Sequence, residues 1–381
     1  MITHLRPDRR FLLLGLLAVT LASHAQQATR AEALALEQSQ HTADAQKLWS
    51  ALSSKSPEDP EPLAHLGLLE ARQEHYEAAI GFYRRALRLN PDLPGLQMNL
   101  GLALFKAAQF PPAIQSFRAE LKKHPGDQRL TVLLGMAHYG MGDYLVAIPY
   151  LRQASVRDAQ NLPLRLALAH SCLWSKQYDC VMEVEKEILN LNAESAEADM
   201  LAGEALDETG DDAGAIAQFR NAARANPKEP NVHFGLGYLL WKLKQFEESA
   251  KEFEAELDND PLHTMARAYL GDVHTVQADY AKAEPELRKA LEGSSTSAMV
   301  HRDLGIVYAA TARSELAVKE LQQAIALDPE DVAAHWRIAR LYQSMGKKNE
   351  AVSEFAIASR MNQATHEALT QKIGSAQPVN P

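Results

Sequence analysis

The sequence predicts an all-α protein in which helical hairpins stack one on the next as a solenoid, and three observations lead to that prediction. Apolar and small side chains in residues 60–93 recur at the i, i+3, i+4 and i+7 spacing of two amphipathic helices. The pattern is interrupted near residues 73–75 and stops at Asn90-Pro91, where a helix should end. The same hairpin recurs every 34 residues, and since one hairpin cannot bury its apolar face alone, neighbouring hairpins must cover it.

Three series of residues keep this period without an insertion. A residue without bulk is expected where the two helices of a hairpin approach most closely, and it recurs as Gly67, Gly101, Gly135, Ala169, Gly203, Gly237, Gly271, Gly305 and Ala339. A second small contact recurs as Ala79, Ala113, Ala147, Val181, Ala215, Ser249, Ala283, Ala317 and Ala351. A large apolar side chain recurs as Tyr83, Phe117, Leu151, Phe219, Phe253, Leu287, Leu321 and Phe355, with Glu185 as the exception. The hairpin at 162–195 therefore matches the pattern least well.

On these residues the chain resembles the tetratricopeptide repeat family over nearly its whole length after residue 25. The resemblance implies a right-handed α-solenoid, a superhelix of about ten 34-residue helix–turn–helix repeats. It also implies that the first helix of each repeat lines the concave side of the superhelix. A protein of this kind is expected to bind other proteins rather than to catalyse a reaction.

The chain begins with the pattern of a secretory signal peptide over residues 1–25. Three arginines precede an apolar run at 11–22, and Ser23-His24-Ala25 is a small-x-small cleavage site. We therefore expect export and cleavage after Ala25, which leaves a periplasmic or extracellular protein with no stable membrane insertion. An uncleaved anchor is the alternative, although the apolar run is short for a membrane span.

The rest of the chain divides into three expected parts. Residues 26–59 match the repeat pattern only in their second helix, so they are predicted to be a degenerate N-terminal capping repeat. Residues 60–365 are predicted to form nine repeats in one solenoid. Residues 366–381 are predicted to form a C-terminal capping helix followed by a loose tail.

The overall charge disfavours nucleic acid as the main ligand. The sequence has 39 basic and 49 acidic residues, a formal net charge of −10, whereas a protein that binds phosphate backbones needs a basic stripe. The simplest meaning of this charge is solubility. The composition leaves the oligomeric state open.

The two cysteines, Cys172 and Cys180, lie on either side of the turn of the weakest hairpin. If the protein is exported, its compartment is oxidising, and the spacing then allows a disulfide across the turn without requiring one. The alternative is two buried thiols that act as small apolar fillers. Their spacing matches neither a zinc knuckle nor a redox pair.

The candidate binding surface is the set of inward positions on the first helices, which the resemblance places along the concave groove. The predicted groove residues are Met98, Asn99, Leu102, Phe105, Lys106, Met136, Tyr139, His170, Trp174, Glu204, Asp207, Phe234, Tyr238, Trp241, Tyr269, Asp272, Trp336 and Arg340. So many aromatic and methionine side chains at these positions favour a groove for an extended or helical peptide. The alternative is that several of them pack against the next repeat as core.

Two finer interpretations concern polar residues of this surface. Some members of the resembled family hold a partner's C-terminal carboxylate with Lys, Asn and Arg, but here only Asn99 and Lys106 suit that role, so we do not carry it over. Glu204 and Asp207 would suit a basic segment of a partner, or they form an ordinary solvated helix face.

A second symmetry lies above the repeat, because residues 91–154 match residues 227–291 at positions that the family pattern does not require. Duplication of a four-repeat block explains this match. If binding residues were copied as well, the groove would contain two related sub-sites, although shared ancestry alone is sufficient.

The sequence contains no recognisable catalytic motif. It has no paired-histidine zinc motif, no glycine-rich phosphate loop and no nucleophile turn. We therefore expect no enzyme activity, cofactor or metal. The expected function is an exported scaffold that binds a peptide segment of a partner protein in an envelope, secretion or assembly complex. The alternatives are a glycan-binding module, with sugars stacked on Trp174, Tyr238, Trp241 and Trp336, and a non-catalytic subunit of a polysaccharide-processing or glycosyltransferase complex.

Overall fold

A computed structural model of the protein describes residues 27–192, 194–293 and 296–375. Over these residues the protein forms twenty helices and no strand, and the helices are arranged as ten helix–turn–helix hairpins. The predicted all-α class is confirmed. The predicted signal peptide and the end of the predicted tail, residues 376–381, lie outside the described residues.

Each hairpin has a first helix, odd-numbered here, and a second helix, even-numbered. The first helices are α1 at 27–38, α3 at Pro60–Arg72, α5 at Leu96–Lys106, α7 at Gln128–Met141, α9 at Leu162–Trp174, α11 at Ala196–Thr209, α13 at Val232–Lys242, α15 at Thr264–Val276, α17 at Ala298–Ala310 and α19 at Val332–Ser344. The second helices are α2 at Thr42–Lys55, α4 at Tyr76–Leu89, α6 at Phe110–Lys123, α8 at Tyr144–Arg157, α10 at Tyr178–Leu191, α12 at Asp212–Ala225, α14 at Phe246–Asn259, α16 at Tyr280–Gly293, α18 at Ser314–Leu327 and α20 at Lys348–Ser375. Because α20 runs unbroken through residue 366, the region predicted as a C-terminal capping helix continues the second helix of the tenth hairpin.

The helices divide into two compact units, and the division falls inside α10. Unit 1 ends at Cys180 and unit 2 begins at Val181. Within each unit, helices pack mainly against their sequence neighbours, so each unit has a succession of small cores rather than one centre. That is the packing of a solenoid. One continuous solenoid over 60–365 stays a prediction.

Glycine marks the closest approach of the two helices in most hairpins. A Cβ atom placed on Gly101 would lie 2.5 Å from the ring of Phe117, and one placed on Gly237 would lie 2.8 Å from the ring of Phe253. The same contact joins Gly67 to Tyr83, Gly135 to Leu151, Gly203 to Phe219, Gly271 to Leu287 and Gly305 to Leu321. The neighbouring small residues Ala79, Ala113 and Ala147 are fully buried. The large side chain of each second helix therefore lies directly over a position where no side chain fits.

Each hairpin turn contains one residue in the left-handed backbone region, and these residues recur at intervals of 34. They are Gln40, Glu74, Ala108, Gly142, Lys176, Gly210, Lys244, Ala278, Ala312 and Gly346. The next residue bonds back to the first helix, as Gln109 N does to the carbonyl oxygen of Leu104 at 2.8 Å, which satisfies the last carbonyl groups of that helix. Only three of the ten are glycine, so composition does not reveal these turns.

The hairpin α9–α10, predicted to be the least regular, differs from the others in two ways. Cys172 and Cys180 are joined as a disulfide across its turn, with their Cα atoms 5.8 Å apart. Glu185, which belongs to unit 2, is buried and accepts a hydrogen bond from Gln218 Nε2 at 3.2 Å. Burial raises the pKa of Glu185, and burial next to Glu185 raises the pKa of Asp199 to about 6. A buried carboxyl group thus stands where the other hairpins have a large apolar side chain.

Candidate binding surface on the first helices

Four aromatic side chains come together on the first helices α13 and α15 of unit 2. The ring centroids of Phe234, Tyr238 and Trp241 on α13 lie 6.1, 5.6 and 4.9 Å from that of Tyr269 on α15. All four side chains are half-buried. We call these four residues the α13–α15 aromatic cluster. The structure therefore brings together four of the predicted groove residues, each with part of its surface open to solvent.

Asp272 is buried and holds the indole of Trp241 by a hydrogen bond, and it does not form part of the exposed surface of the cluster. The indole Nε1 of Trp241 donates a hydrogen bond to Asp272 Oδ2 at 2.6 Å, and Arg302 Nη2 lies 3.8 Å from Asp272 Oδ1. Asp272 is only 5% exposed, so it cannot be the partner-contacting residue that the sequence predicted. Its two partners come from different repeats, which the repeat pattern does not reveal. Burial and the proximity of Asp272 raise the pKa of Asp303 well above its usual range.

The predicted acidic patch at Glu204 and Asp207 is partly neutralised within the protein. Lys242 Nζ lies 2.5 Å from Asp207 Oδ1 and 2.9 Å from Asp212 Oδ1. These hydrogen bonds raise the pKa of Lys242, which keeps it positively charged. Glu204 is exposed. A basic partner segment would therefore meet less negative charge here than the sequence suggests.

A second group of aromatic side chains lies in unit 1 around Trp174, which is 52% exposed. The ring centroids of Tyr144, His170 and Tyr139 lie 4.5, 5.5 and 6.4 Å from that of Trp174. We call these four residues the Trp174 cluster. Tyr144 was not among the predicted residues, because it begins the second helix α8 rather than lying on a first helix.

The remaining predicted residues of unit 1 are divided between surface and core. Leu102 and Lys106 are exposed, whereas Asn99 and Met136 are half-buried. Met98 and Phe105 are half-buried and pack against the core of unit 1. Phe234, Trp241 and Tyr269 pack in the same way against a core cluster of unit 2. The alternative interpretation, that some groove residues are core, therefore applies in part to all five.

The last two predicted residues, Trp336 and Arg340, lie on α19 and are exposed. The ring of Trp336 meets that of Phe355 edge to face, with centroids 4.8 Å apart, and 41% of the Trp336 surface remains exposed. Arg340 borders a cavity together with Arg337.

Unit 2 also contains a repeated contact between a basic side chain and a glutamate that was not predicted. In each of the last four hairpins, a basic side chain on the first helix contacts a glutamate 19 residues later on the second helix. The pairs are His233–Glu252 at 2.7 Å, Arg267–Glu286 at 2.5 Å, His301–Glu320 at 2.6 Å and His335–Glu354 at 2.5 Å. The constant 19-residue spacing was the signal that could have revealed them.

In the part of the protein that the structure describes, no three potential metal ligands gather into a site.

No helix in the described residues is long and apolar enough to cross a membrane.

Comparison with known proteins gives a consistent family match. A family model described as tetratricopeptide repeat matches residues 30–94, 98–167, 186–230, 234–298 and 302–358, which is most of the sequence. No curated protein matches the sequence significantly.

Three solved structures illustrate the structural likeness. YrrB, described as a TPR protein with an unusual peptide-binding site, aligns with a TM-score of 0.44 and 20% identity over 48% of this protein and 95% of that one. MamA 41-end from Desulfovibrio magneticus RS-1 aligns with a TM-score of 0.41 and 21% identity over 44% of this protein and 96% of that one. A protein of the APC/C hetero-tetramer Cut9–Hcn1 aligns with a TM-score of 0.43 and 10% identity over 89% of this protein and 87% of that one.

Proposed function

The chain belongs to the tetratricopeptide repeat family, and from that premise we propose that it is an exported, non-catalytic scaffold that binds a peptide segment of a partner protein. The binding surface is formed by the first helices, and the partner belongs to an envelope, secretion or assembly complex. Repeat proteins of this kind use such extended surfaces for binding.

The observation that carries this proposal is the α13–α15 aromatic cluster. Tyrosine and tryptophan side chains that are held rigidly and left partly exposed are the residues that dominate binding energy at protein interfaces. Here Trp241 is held by Asp272 through its indole nitrogen, so little side-chain entropy remains to be lost on binding. A peptide that covers Tyr238 and Trp241 would bury apolar ring surface that solvent now contacts.

Export follows in this proposal from the signal pattern at 1–25, and the Cys172–Cys180 disulfide agrees with an oxidising compartment. N-terminal sequencing of the protein from the exported fraction should find Gln26 as the first residue. A protein that still begins at Met1 would contradict cleavage after Ala25.

Glycan binding is the second candidate, because Trp174 and Trp336 expose 52% and 41% of their surface. Sugar rings stack on exposed indoles of this kind. Soluble oligosaccharides would then compete with the natural ligand, whereas a peptide site would be blocked only by peptides.

The test is a pull-down from the exported fraction with the parent protein, a cluster variant and a control variant. The cluster variant carries Tyr238→Leu and Trp241→Phe, which are the residues present at the equivalent positions Leu102 and Phe105 of unit 1. The control carries Leu262→Ala and Val352→Ala, which remove apolar surface from side chains that are 87% and 68% exposed.

We expect one protein to be retained by the parent and by the control and lost from the cluster variant. Losing one well-packed aromatic anchor typically weakens binding by about 2 kcal/mol, which is more than tenfold. Equal recovery with all three proteins would remove the α13–α15 aromatic cluster as the binding site. Circular dichroism of the three proteins should show equal helicity, so that a loss of binding is not a loss of folding.

A further inference from the structure

Three buried carboxyl groups surround one guanidinium group next to the α13–α15 aromatic cluster. Arg302 on α17 donates from Nε to Asp303 Oδ1 at 3.3 Å and from Nη1 to Asp331 Oδ2 at 3.1 Å, and its Nη2 lies 3.8 Å from Asp272 Oδ1. The three carboxyl side chains are at most 9% exposed. Among the described residues, Arg302 is the one cation within ion-pair distance of them. We call these four residues the Arg302 cluster.

The charges of the Arg302 cluster do not balance if every carboxyl group is ionised. Three negative charges against one positive charge leave two negative charges without a partner, and an unpaired charge is costly to bury. A proton bound by one carboxyl group removes one of these charges. It also supplies a hydrogen-bond donor, which two facing carboxylates lack. The cluster therefore favours a bound proton.

Asp303 is the carboxyl group that lacks a donor. Its Oδ2 atom is buried and has no hydrogen-bond partner among the described residues. Each of the other two carboxyl groups accepts a hydrogen bond from outside the cluster: Asp272 Oδ2 from Trp241 Nε1 at 2.6 Å, and Asp331 Oδ1 from the backbone N–H of Ala334 at 3.0 Å. A buried oxygen without a donor has lost its bonds to water without replacement. If Asp303 Oδ2 carries the proton, it becomes a donor, and the carboxylate of Asp272 is the acceptor beside it.

The charged groups around Asp303 favour its protonated form on balance. Burial raises the pKa of Asp303 well above its usual range, and Asp272 on α15 raises it further, while Arg302 acts in the opposite direction. Asp331 precedes α19 and shares the charge of Arg302 with Asp303. The helices α16 and α18 also pack against α17, and within the described residues they bring no charged group that shifts this pKa.

The repeat architecture does not require the Arg302 cluster. Four repeats earlier, in unit 1, the residues equivalent to Trp241, Asp272 and the two neighbours on α17 are all apolar: Phe105, Met136, Leu166 and Ala167. Apolar side chains can therefore fill these places in an equivalent hairpin, and packing alone does not explain the buried charges. A buried polar network fixes the orientation of the groups that it bonds. Here the group that it bonds at the surface is the indole of Trp241.

We propose that Asp303 carries a proton at neutral pH and donates it in a hydrogen bond to Asp272, so that this buried proton positions the indole of Trp241 in the α13–α15 aromatic cluster. Asp303 is a positioning residue, because it acts on Trp241 through Asp272. When the pH rises and the proton leaves, two buried carboxylates face each other, and their repulsion disturbs the bond from Asp272 to Trp241. The consequence, that a partner segment is held less tightly at alkaline pH, rests on the proposed function.

NMR spectroscopy can observe both ends of this connection in the full protein. Aspartate labelled with ¹³C at the side-chain carboxyl carbon reports which carboxyl groups are protonated, and ¹⁵N-labelled tryptophan reports the indole N–H of Trp241. Spectra are recorded from pH 5 to about 9. Trp241→Phe identifies the indole signal, and it introduces the residue that unit 1 has at the equivalent position, Phe105.

The proteins compared are the parent, Asp303→Asn and Asp199→Asn. Asparagine at 303 keeps the shape of the side chain and supplies a permanent N–H donor to Asp272. Asp199 on α11 is the matched control, since it is another buried aspartate of unit 2 whose pKa is raised, to about 6, but the acidic group that acts on it is Glu185. Circular dichroism checks that both variants keep the helicity of the parent.

We expect the parent at pH 7 to show a protonated carboxyl signal for Asp303, which Asp303→Asn removes. As the pH rises, this signal and the indole signal of Trp241 should shift together with one common midpoint. In Asp303→Asn the indole signal should lose its titration and stay at its low-pH position. In Asp199→Asn it should titrate as in the parent.

An ionised Asp303 at pH 7 would overturn the proposal. An indole signal of Trp241 that does not shift with pH, or that shifts equally in Asp303→Asn, would overturn it as well. If Asp303→Asn does not fold, the parent decides, with Asp303 assigned through its own backbone nuclei. One midpoint shared by Asp303 and Trp241 then supports the proposal, and two separate midpoints contradict it.

This test is separate from that of the proposed function, because it needs no partner. If Asp303 and Trp241 titrate together but the pull-down shows no dependence on Tyr238 and Trp241, the buried proton stands and the α13–α15 aromatic cluster fails as the binding site. If the pull-down depends on those two residues while the indole signal ignores Asp303, the scaffold function stands and the buried proton fails.

Discussion

The helices α5–α8 of unit 1, here block 1, and the helices α13–α16 of unit 2, here block 2, share backbone features at equivalent positions. The first helix of each block has 11 residues and is preceded by a residue in the left-handed region, Gly95 with φ 71° and Asn231 with φ 67°. A proline lies at the same place inside the last helix of each block, Pro149 in α8 and Pro285 in α16. These shared features agree with duplication of a four-repeat block.

The side chains placed on this backbone differ between the blocks. Block 2 has the side-chain contacts His233–Glu252 and Arg267–Glu286, whereas the equivalent positions in block 1 are Gln97 with Ser116 and Thr131 with Tyr150, none of which is acidic or basic.

The surface of the first helices differs in the same way. Tyr238, Trp241, Tyr269 and Asp272 of block 2 stand where block 1 has Leu102, Phe105, Leu133 and Met136. The comparison teaches that contacts between the helices restrict the residue type at a few positions strictly and leave the candidate binding surface free to change.

Substitutions at the glycines of closest helix–helix contact should cause the largest loss of stability, and the loss should be equal in both blocks. Gly101→Val and Gly237→Val each place a branched side chain where even a Cβ atom would lie 2.5 or 2.8 Å from a buried ring. We expect each to lower the free energy of unfolding of its own unit by about 3 kcal/mol, because a close-packed interior cannot make room. Amide hydrogen exchange of each block measures this locally.

Gly81→Val is the control, because a Cβ atom at Gly81, also inside a helix, would meet nothing within 4 Å. If one block tolerated its valine while the other did not, the two blocks would not share the same packing.

A buried histidine, His274, should make the stability of block 2 sensitive to acid. His138 in block 1 faces Asp143 at 3.1 Å and Arg118 at 3.3 Å, whereas His274 in block 2 is buried with its Nδ1 unpaired. Burial lowers the pKa of His274, and Lys282 lowers it further, while Asp279, Glu254 and Glu286 act in the opposite direction.

A histidine whose folded pKa lies below its unfolded value makes the unfolded protein bind the proton more readily, so its contribution to stability is lost as pH falls below about 6.5. We expect His274→Gln to make the stability of block 2 less sensitive to pH between 7 and 5, by at most about 1.4 kcal/mol per pH unit. Hydrogen exchange at several pH values measures it, and His138→Gln serves as the comparison. An unchanged pH dependence would contradict the expected burial of a neutral ring.

Substitutions in the hairpin turns should change the stability least, and the change should have the same sign in both blocks. Ala108 in block 1 and Lys244 in block 2 have φ values of 55° and 59°, a region in which a side chain is strained. Ala108→Gly and Lys244→Gly should each stabilise the protein by about 0.5 kcal/mol, measured as a higher midpoint of chemical denaturation. Gly142→Ala, at φ 80°, should have the opposite effect, and a gain there would show that these turns carry no strain.

These positions also show how far sequence reasoning reached. The 34-residue spacing of Gly101, Gly237 and their companions predicted the hairpins, because helix packing requires a small residue at a constant place. The same spacing could not predict the left-handed residue in each turn. Seven of the ten are not glycine, since the packing of the two helices, rather than the residue type, imposes that backbone conformation.

The arrangement of the candidate binding surface was predictable only in outline. Phe234, Tyr238, Trp241 and Tyr269 were selected by their place in the repeat and do lie together. Asp272 occupies an inward place too, but Trp241 and Arg302 from neighbouring repeats enclose it.

The left-handed turn residues at a constant interval of 34 have a consequence for how such a protein can change over time. Recombination between two equivalent turns adds or removes one complete hairpin and leaves every remaining helix with its own start and end. The gene can therefore lengthen or shorten in whole hairpins with little risk to folding. Selection can then act on how many first helices face a partner before any single contact residue has to be altered.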